Sequence, residues 1–215
     1  MTNITREVWR SIENDAALKK NLLQNLINVS ALARKIAKEQ QSTKNIEAVI
    51  SAIRRYENSS ETTNNFNKIN SLLKEAKLST VTKRSSLLLP KNKIVRKKLG
   101  DLYKQIDFEK GDTLRIFEVS SYIEVIIDDK NTKLFSKTFD NAEILNIKRN
   151  LGELSINYGM DVTQVPGLFS TISNELASQD VSIVSSIICH SEHIIIVEEK
   201  NLEKAFNVIF RLTHF

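Results

Sequence analysis

The strongest constraint on the fold is an order of elements that occurs twice. Between residues 78 and 212 the chain reads strand, helix, strand, strand, helix, and then repeats that order. In the first copy, Val81, Leu87, Leu88 and Leu89 lead to Pro90 as a strand. Residues 91–106 follow as a helix with Val95, Leu99, Leu102 and Ile106 on its inner side. Residues 114–119 and 122–127 are strands, the second alternating at Ile123, Val125 and Ile127. Residues 128–131 (DDKN) turn the chain, Leu134, Phe135 and Phe139 fit a short helix, and 144–147 add a fourth strand. In the second copy Leu154, Ile156 and Tyr158 alternate as a strand, and 162–167 (VTQVPG) form a loop. Leu168, Ile172 and Leu176 then line one helix face, 181–188 and 194–197 are strands, and 201–212 is a helix with Leu202, Ala205, Phe206 and Ile209 inside. No fourth strand is visible in this copy. Its source is expected to be 142–149 or a partner chain, if it exists.

Ahead of the repeats, residues 1–77 contain neither Gly nor Pro and read as helical throughout. Ile4, Val8 and Ile12 recur at helical spacing, Trp9 beside them is expected in the core, and Leu22, Leu23, Leu26 and Ile27 form a second apolar group. Ser30 is placed to cap a helix over 31–38 that buries Leu32, Ala33, Ile36 and Ala37. Ser42 or Thr43 is placed to cap the next helix, whose stripe is Ile46, Val49, Ile50 and Ile53. Residues 57–65 (ENSSETTNN) read as a linker, and the helix after it carries Phe66, Ile69, Leu72, Leu73 and Ala76. The expected class is α+β: an all-helical domain over 1–77, then two ferredoxin-like (βαββαβ) units over 78–149 and 150–215.

Composition removes several function classes. With 5 glycines in 215 residues, neither the dinucleotide-binding glycine fingerprint nor a P-loop can be written, so no cofactor is expected. The single Cys189 excludes an internal disulfide framework and a cysteine-rich zinc site, and the reducing cytoplasm is the expected compartment. In an apolar strand Cys189 is expected to be a small buried hydrophobe. His190 and His193 straddle a turn and are not expected to converge on a metal. No carboxylate pair stands out as a general acid and base. The longest aliphatic run is 194–197, far short of the roughly 20 residues of a membrane span, and no secretory leader is read in 1–14. Charge is unevenly spread: the net is +7 over 1–90, +3 over 91–150 and −5 over 151–215. A basic front and an acidic back imply different partners for the two ends.

Residues 152–212 resemble the ACT domain, a small ligand-sensing module of amino-acid metabolism. PGLFSTISNELASQDVSI and HIIIVEEKNLEKAFNVI are similar to the regulatory tail of aspartokinases, which holds two such units in tandem. The first copy, with YIEVIIDDKNTKLFSKTF, is the more divergent match. The resemblance implies an amino-acid effector around the loop between first strand and first helix. The site residues it implies are Asp161, Gln164, Val165, Pro166, Gly167 and Leu168, with Ser185 and Ser186 on the adjacent strand. Pro166 is suited to the first helical position, and helix N-terminal amides behind Gly167 suit a carboxylate. Pro90 is followed by Lys91 rather than Gly, which weakens the case for a ligand in the first copy. The resemblance further implies a homodimer through the ACT sheets. No kinase catalytic domain is present, so the protein is expected not to be an enzyme.

The segment LINVSALARKIAKEQQSTKNIEAVISAIRRYE resembles a helix-turn-helix or winged-helix unit. By that resemblance the second helix would enter the major groove of double-stranded DNA, with Thr43, Lys44, Asn45 and Glu47 at its reading end. Arg34, Lys35, Lys38, Arg54 and Arg55 would meet phosphate. The expectation is a metabolite-sensing regulator acting on DNA. The alternative is a free-standing regulatory subunit of a biosynthetic enzyme, without DNA binding.

Overall fold

The computed structural model describes residues 3–39, 45–57 and 60–214. The chain divides into two compact units, Met1–Lys68 and Ile69–Phe215.

The first unit is helical throughout its described residues: α1 (Asn3–Glu13), α2 (Ala16–Leu23), α3 (Val29–Glu39), α4 (Ile46–Glu57) and the start of α5 (Ser60–Glu75). Three helices begin on side-chain caps. Asp15, Asn28 and Asn45 accept the backbone N–H of Leu18 (2.9 Å), Ala31 (3.0 Å) and Glu47 (2.9 Å). The caps differ from those expected. Asn28 opens α3 two residues ahead of Ser30, which lies inside the first turn; Asn45 opens α4, while Ser42 and Thr43 lie outside the described residues. Val8, Ile12, Leu22, Leu32, Ala33, Ile36, Val49, Ala52, Ile53 and Tyr56 form the core. Of the expected group 22–27 only Leu22 is fully buried; α2 ends at Leu23, and the turn after it leaves Leu26 71% exposed. Ile46, on the first turn of α4, is exposed, and Ala52 and Tyr56 extend the stripe in its place. Trp9 is half-buried; its Nε1 donates to the Ala52 carbonyl at 3.0 Å and its ring meets Tyr56 edge-on. The expected linker at 57–65 is helix from Ser60 onward, and the side chain of Phe66 is not among those described.

The second unit is one sheet of six antiparallel strands carrying four further helices. The elements are β1 (Lys77–Pro90), α6 (Lys93–Tyr103), β2 (Leu114–Glu118), β3 (Tyr122–Asp128), α7 (Thr132–Thr138), β4 (Asn146–Asn157), α8 (Leu168–Ser178), β5 (Ser185–Cys189), β6 (Glu192–Glu198) and α9 (Leu202–His214). The strand order is β2-β3-β1-β4-β6-β5. The two central strands belong to both repeats. Residues 86–88 of β1 pair with 146–148 of β4, and 77–81 of β1 pair with 153–157 of β4. Each half thereby takes its fourth strand from the other half's first strand. The missing strand of the second copy is residues 77–81, not 142–149 or a partner chain. The strands expected at 144–147 and 154–158 are one continuous strand. Register shifts in β1 between Val81 and Arg84, and between Arg84 and Ser86, turn the pair from one half to the other. Lys83 (φ 58°) and Asn150 (φ 54°) take left-handed backbone at that corner.

Alternation along each strand sorts the side chains. On one face Leu87, Leu89, Ile123, Val125 and Ile127 pack with Val95, Leu99, Leu102, Phe135 and Phe139. In the second half Leu154, Ile156, Ile195 and Val197 pack with Leu168, Ile172 and Leu176 of α8 and with Leu202, Ala205 and Ile209 of α9. Ile69, Leu72 and Leu73, from the end of α5, join the same core. Gly152 lets α9 lie close: a Cβ there would stand 2.7 Å from Leu202 Cδ2.

The opposite face is rolled inward. Four strand spacings of about 4.8 Å would part β3 from β5 by about 19 Å on a flat sheet. Yet Ser185 Oγ on β5 donates to Glu124 on β3 at 2.9 Å. Inside the roll Ile126, Leu151, Ile194 and Ile196 are buried, with Phe117, Val184 and Ile187 against them. Beside them Arg115 grips Glu153 through two bonds (3.1 and 2.7 Å), and Arg84 pairs with Asp128 and reaches Glu153 at 3.7 Å. Among the described residues no helix is long and apolar enough to cross a membrane.

Candidate functional site

The loop between β4 and α8 is built by short-range hydrogen bonds. Asn157 Oδ1 accepts the N–H of Gly159, which turns the chain out of the sheet with φ 70°. Val162 N–H donates to the His190 carbonyl at 3.0 Å, tying the loop to the β5–β6 hairpin. Asp161 Oδ1 accepts from both the hydroxyl (2.7 Å) and the backbone N–H (2.9 Å) of Thr163. Those bonds, the hydroxyl's first, hold its carboxyl below the usual range. Gly167 caps α8 in left-handed conformation, φ 87°, and its carbonyl accepts the N–H of Thr171 at 2.9 Å. Because that conformation cannot continue a helix, α8 begins at Leu168, and Pro166 stands two residues before the first helical position expected for it.

This geometry separates the expected site residues. Asp161, Gln164, Pro166 and Gly167 are exposed, whereas Val165 and Leu168 turn into the core. Ser185 and Ser186 are adjacent on β5 and therefore face opposite sides of the sheet. Ser186 lies on the helix-bearing face with His193, whose Nε2 is 2.8 Å from its hydroxyl and whose ring is 5.7 Å from that of Phe169 at the start of α8. Ser185 points into the roll, toward Glu124. The loop and Ser186 thus share one face, and Ser185 does not join them.

Three further residues belong to this face. His193 is fully buried, burial pushes its pKa down to about 4, and its Nδ1 has no partner among the described residues. The buried Tyr158 hydroxyl also lacks one, and burial raises its pKa. Register places Tyr158 diagonally across from His193, two residues beyond its direct partner Ile156. Phe169 is half exposed beside them. Alternation with Ile195 and Val197 was the signal that could have put His193 on the inner face. Cys189 is exposed, contrary to expectation, because it ends the edge strand β5 where His190 turns the hairpin with φ 53°. His190 is exposed and His193 buried, and no group of three or more His, Cys, Asp or Glu among the described residues is placed to hold a metal.

In the first repeat Asn92, not a Pro-Gly pair, caps the first helix, accepting the Val95 N–H at 2.9 Å. In the helical unit Arg34, Lys35 and Lys38 are exposed on α3, and Arg54 and Arg55 on α4. Lys35 lies 3.8 Å from Glu39, and Arg55 Nη2 donates to Thr5 Oγ1 at 3.1 Å. Asn45 is engaged as the α4 cap, and Thr43 and Lys44 lie outside the described residues.

No known family model matches the sequence, and no curated protein matches it. Solved structures do match in fold. The regulatory subunit of aspartate kinase from Thermus thermophilus superposes with a TM-score of 0.52 at 13% identity, over 63% of this chain and 95% of that one. Its counterpart from Thermus flavus gives the same values. Aspartate kinase from Clostridium acetobutylicum matches at 0.50 and 18% identity over 63% of this chain, which spans only 34% of that enzyme. What is shared at these identities is the fold: two interlocked ACT-like units.

Proposed function

We propose that this chain is a non-catalytic regulator that senses an amino acid through its ACT-like pair and acts on DNA through its helical unit. The observation that carries the sensing role is the interlocked six-stranded sheet, whose fold matches 95% of the Thermus thermophilus regulatory subunit. The organisation proposed is a helical domain followed by two ACT-like units that share β1 and β4. The effector would lie at the exposed loop residues Asp161, Gln164, Pro166 and Gly167, with Ser186 beneath them. Its binding would favour one geometry of a homodimer joined through the sheets, and so one spacing of the helical units. Exposed Arg34, Lys35, Lys38, Arg54 and Arg55 support the DNA contact.

Two measurements test this. A thermal-shift screen of the full chain against the twenty amino acids should find one that stabilises, by about 2.7 kcal/mol at a hundred times its Kd. A flat screen overturns the sensing role. Fluorescence anisotropy should detect duplex DNA binding at low salt, with log K falling by about 0.9 per decade of salt for each phosphate contact. The triple variant Arg34→Ala, Lys35→Ala, Lys38→Ala should flatten that slope. No binding at low salt leaves the second reading, a free-standing regulatory subunit of a biosynthetic enzyme. That reading is favoured by one observation: the matched Thermus protein is itself a separate regulatory subunit.

A further inference from the structure

A second polar site lies at the root of that loop, at the open end of the face that carries no helices. There a groove of about 320 Å3 is lined by Glu75, Lys77, Ser79, Ser155, Asn157 and Glu192, among others. Its volume falls within the roughly 300–1,000 Å3 of small-molecule sites. Strand register explains why these groups gather. Lys77 pairs with Asn157 and Ser79 with Ser155 across β1 and β4, and Asn157 pairs with Glu192 across β4 and β6. Cross-strand partners point to the same side, so five polar side chains from three strands share one patch. Glu75, from the last turn of α5, closes its edge.

The commitments of these groups are few. Asn157 is held, accepting from Gly159 N–H at 2.8 Å and donating to Glu192 Oε1 at 3.4 Å. Ser155 makes one long bond, to Glu153 at 3.3 Å. The exposed side chains of Glu75, Lys77 and Ser79 have no hydrogen-bond or ion-pair partner among the described residues, and the second oxygen of Glu192 is likewise open. Several charges elsewhere on this unit are matched in place, as in Arg96 with Glu118, Lys98 with Glu143 and Lys200 with Glu198. Here two carboxylates and one ammonium border a hollow instead of each other.

We propose that this groove binds a free α-amino acid as its zwitterion. The ligand ammonium sits between Glu75 and Glu192, and its carboxylate meets Lys77 and the hydroxyls of Ser79 and Ser155. Charge-assisted bonds of this kind are the strong ones. Two carboxylates against one lysine make the ammonium the dominant handle. The groove reaches Gly159, where the loop leaves β4, but none of 161–168 lines it, and its ligand class rests on the sensing role proposed above.

The test is amide NMR of the full chain, titrated separately with each of the twenty amino acids and with propionate, which lacks the ammonium. The expected result is that at least one amino acid shifts the amides of Ser79, Ser155, Asn157 and Gly159, while propionate does not. Glu192→Gln and Lys77→Met, both at exposed positions, should each weaken that binding about tenfold or more without altering the rest of the spectrum. Three results overturn the proposal. Shifts confined to 161–169 would place the ligand at the loop and leave the sensing role standing. Equal shifts with propionate would remove the ammonium's role. Silence from every amino acid would end this site and the sensing role together.

Discussion

A neutral imidazole sealed inside a sheet makes stability sensitive to acid. His193 titrates near 4 when folded and near 6.5 when unfolded, so between those values only the unfolded chain takes up the proton. Stability is therefore complete above pH 6.5 and falls as pH drops toward 4. Urea unfolding should give about 2 kcal/mol less stability at pH 5 than at pH 7 from this group. His193→Leu should remove most of that difference, and an unchanged pH dependence in the variant would refute the assignment. Glu153 poses the opposite case, a buried charge held by two arginines. Glu153→Gln leaves Arg115 and Arg84 with less compensation inside the roll and should cost about 3–5 kcal/mol in a denaturant midpoint measurement. Neither behaviour is visible in composition. Both follow from strand alternation once it is known which face is sealed.

At the scale of elements, the order of strands and helices in both repeats was legible from periodicity alone, although the strand expected from 181 begins at Ser185 and Val181 reaches the core from the segment before it. The central strands were not. Residues 148–153 (KRNLGE) carry no alternating apolar pattern, so β4 reads as two strands with a break. What joins them is pairing with β1 some 70 residues earlier, which no local window contains. The candidate loop was half legible. Pro166-Gly167 marked the turn, and strand alternation already set Ser185 and Ser186 on opposite faces, but nothing in the sequence showed the left-handed Gly167 that moves the helix start. Gly152 has an ordinary place in a strand, yet it sets the approach of α9. Gly152→Ala should destabilise by about 1–3 kcal/mol, read as a lowered Tm, through displacement of Leu202. A Tm equal to that of the parent chain would mean that α9 yields without strain.

For the whole molecule, charge and architecture run together. The basic front of the sequence coincides with the helices that expose Arg34, Lys35, Lys38, Arg54 and Arg55, and the acidic back with the second repeat. The repeats look separable in sequence and are not separable in space. A chain ending at residue 149 keeps every element of the first repeat but leaves residues 77–81 with no strand beside them. It should lose cooperative thermal unfolding of the sheet by circular dichroism. A sharp transition in that fragment would show that the first half stands alone.

The shared central pair also sets a timetable for synthesis. Residues 77–81 leave the ribosome well before their partners at 153–157. At about 5–20 residues per second, that delay is roughly 4–15 s. Through that interval the lower half of β1 is an unpaired edge beside a nearly complete first repeat. Val81 and Leu78 are its apolar residues, while Lys77 and Lys83 flank them with charge. Flanking lysines of this kind deter edge-to-edge association. The two lysines at either end of this segment are thus suited to guard it until the second repeat arrives.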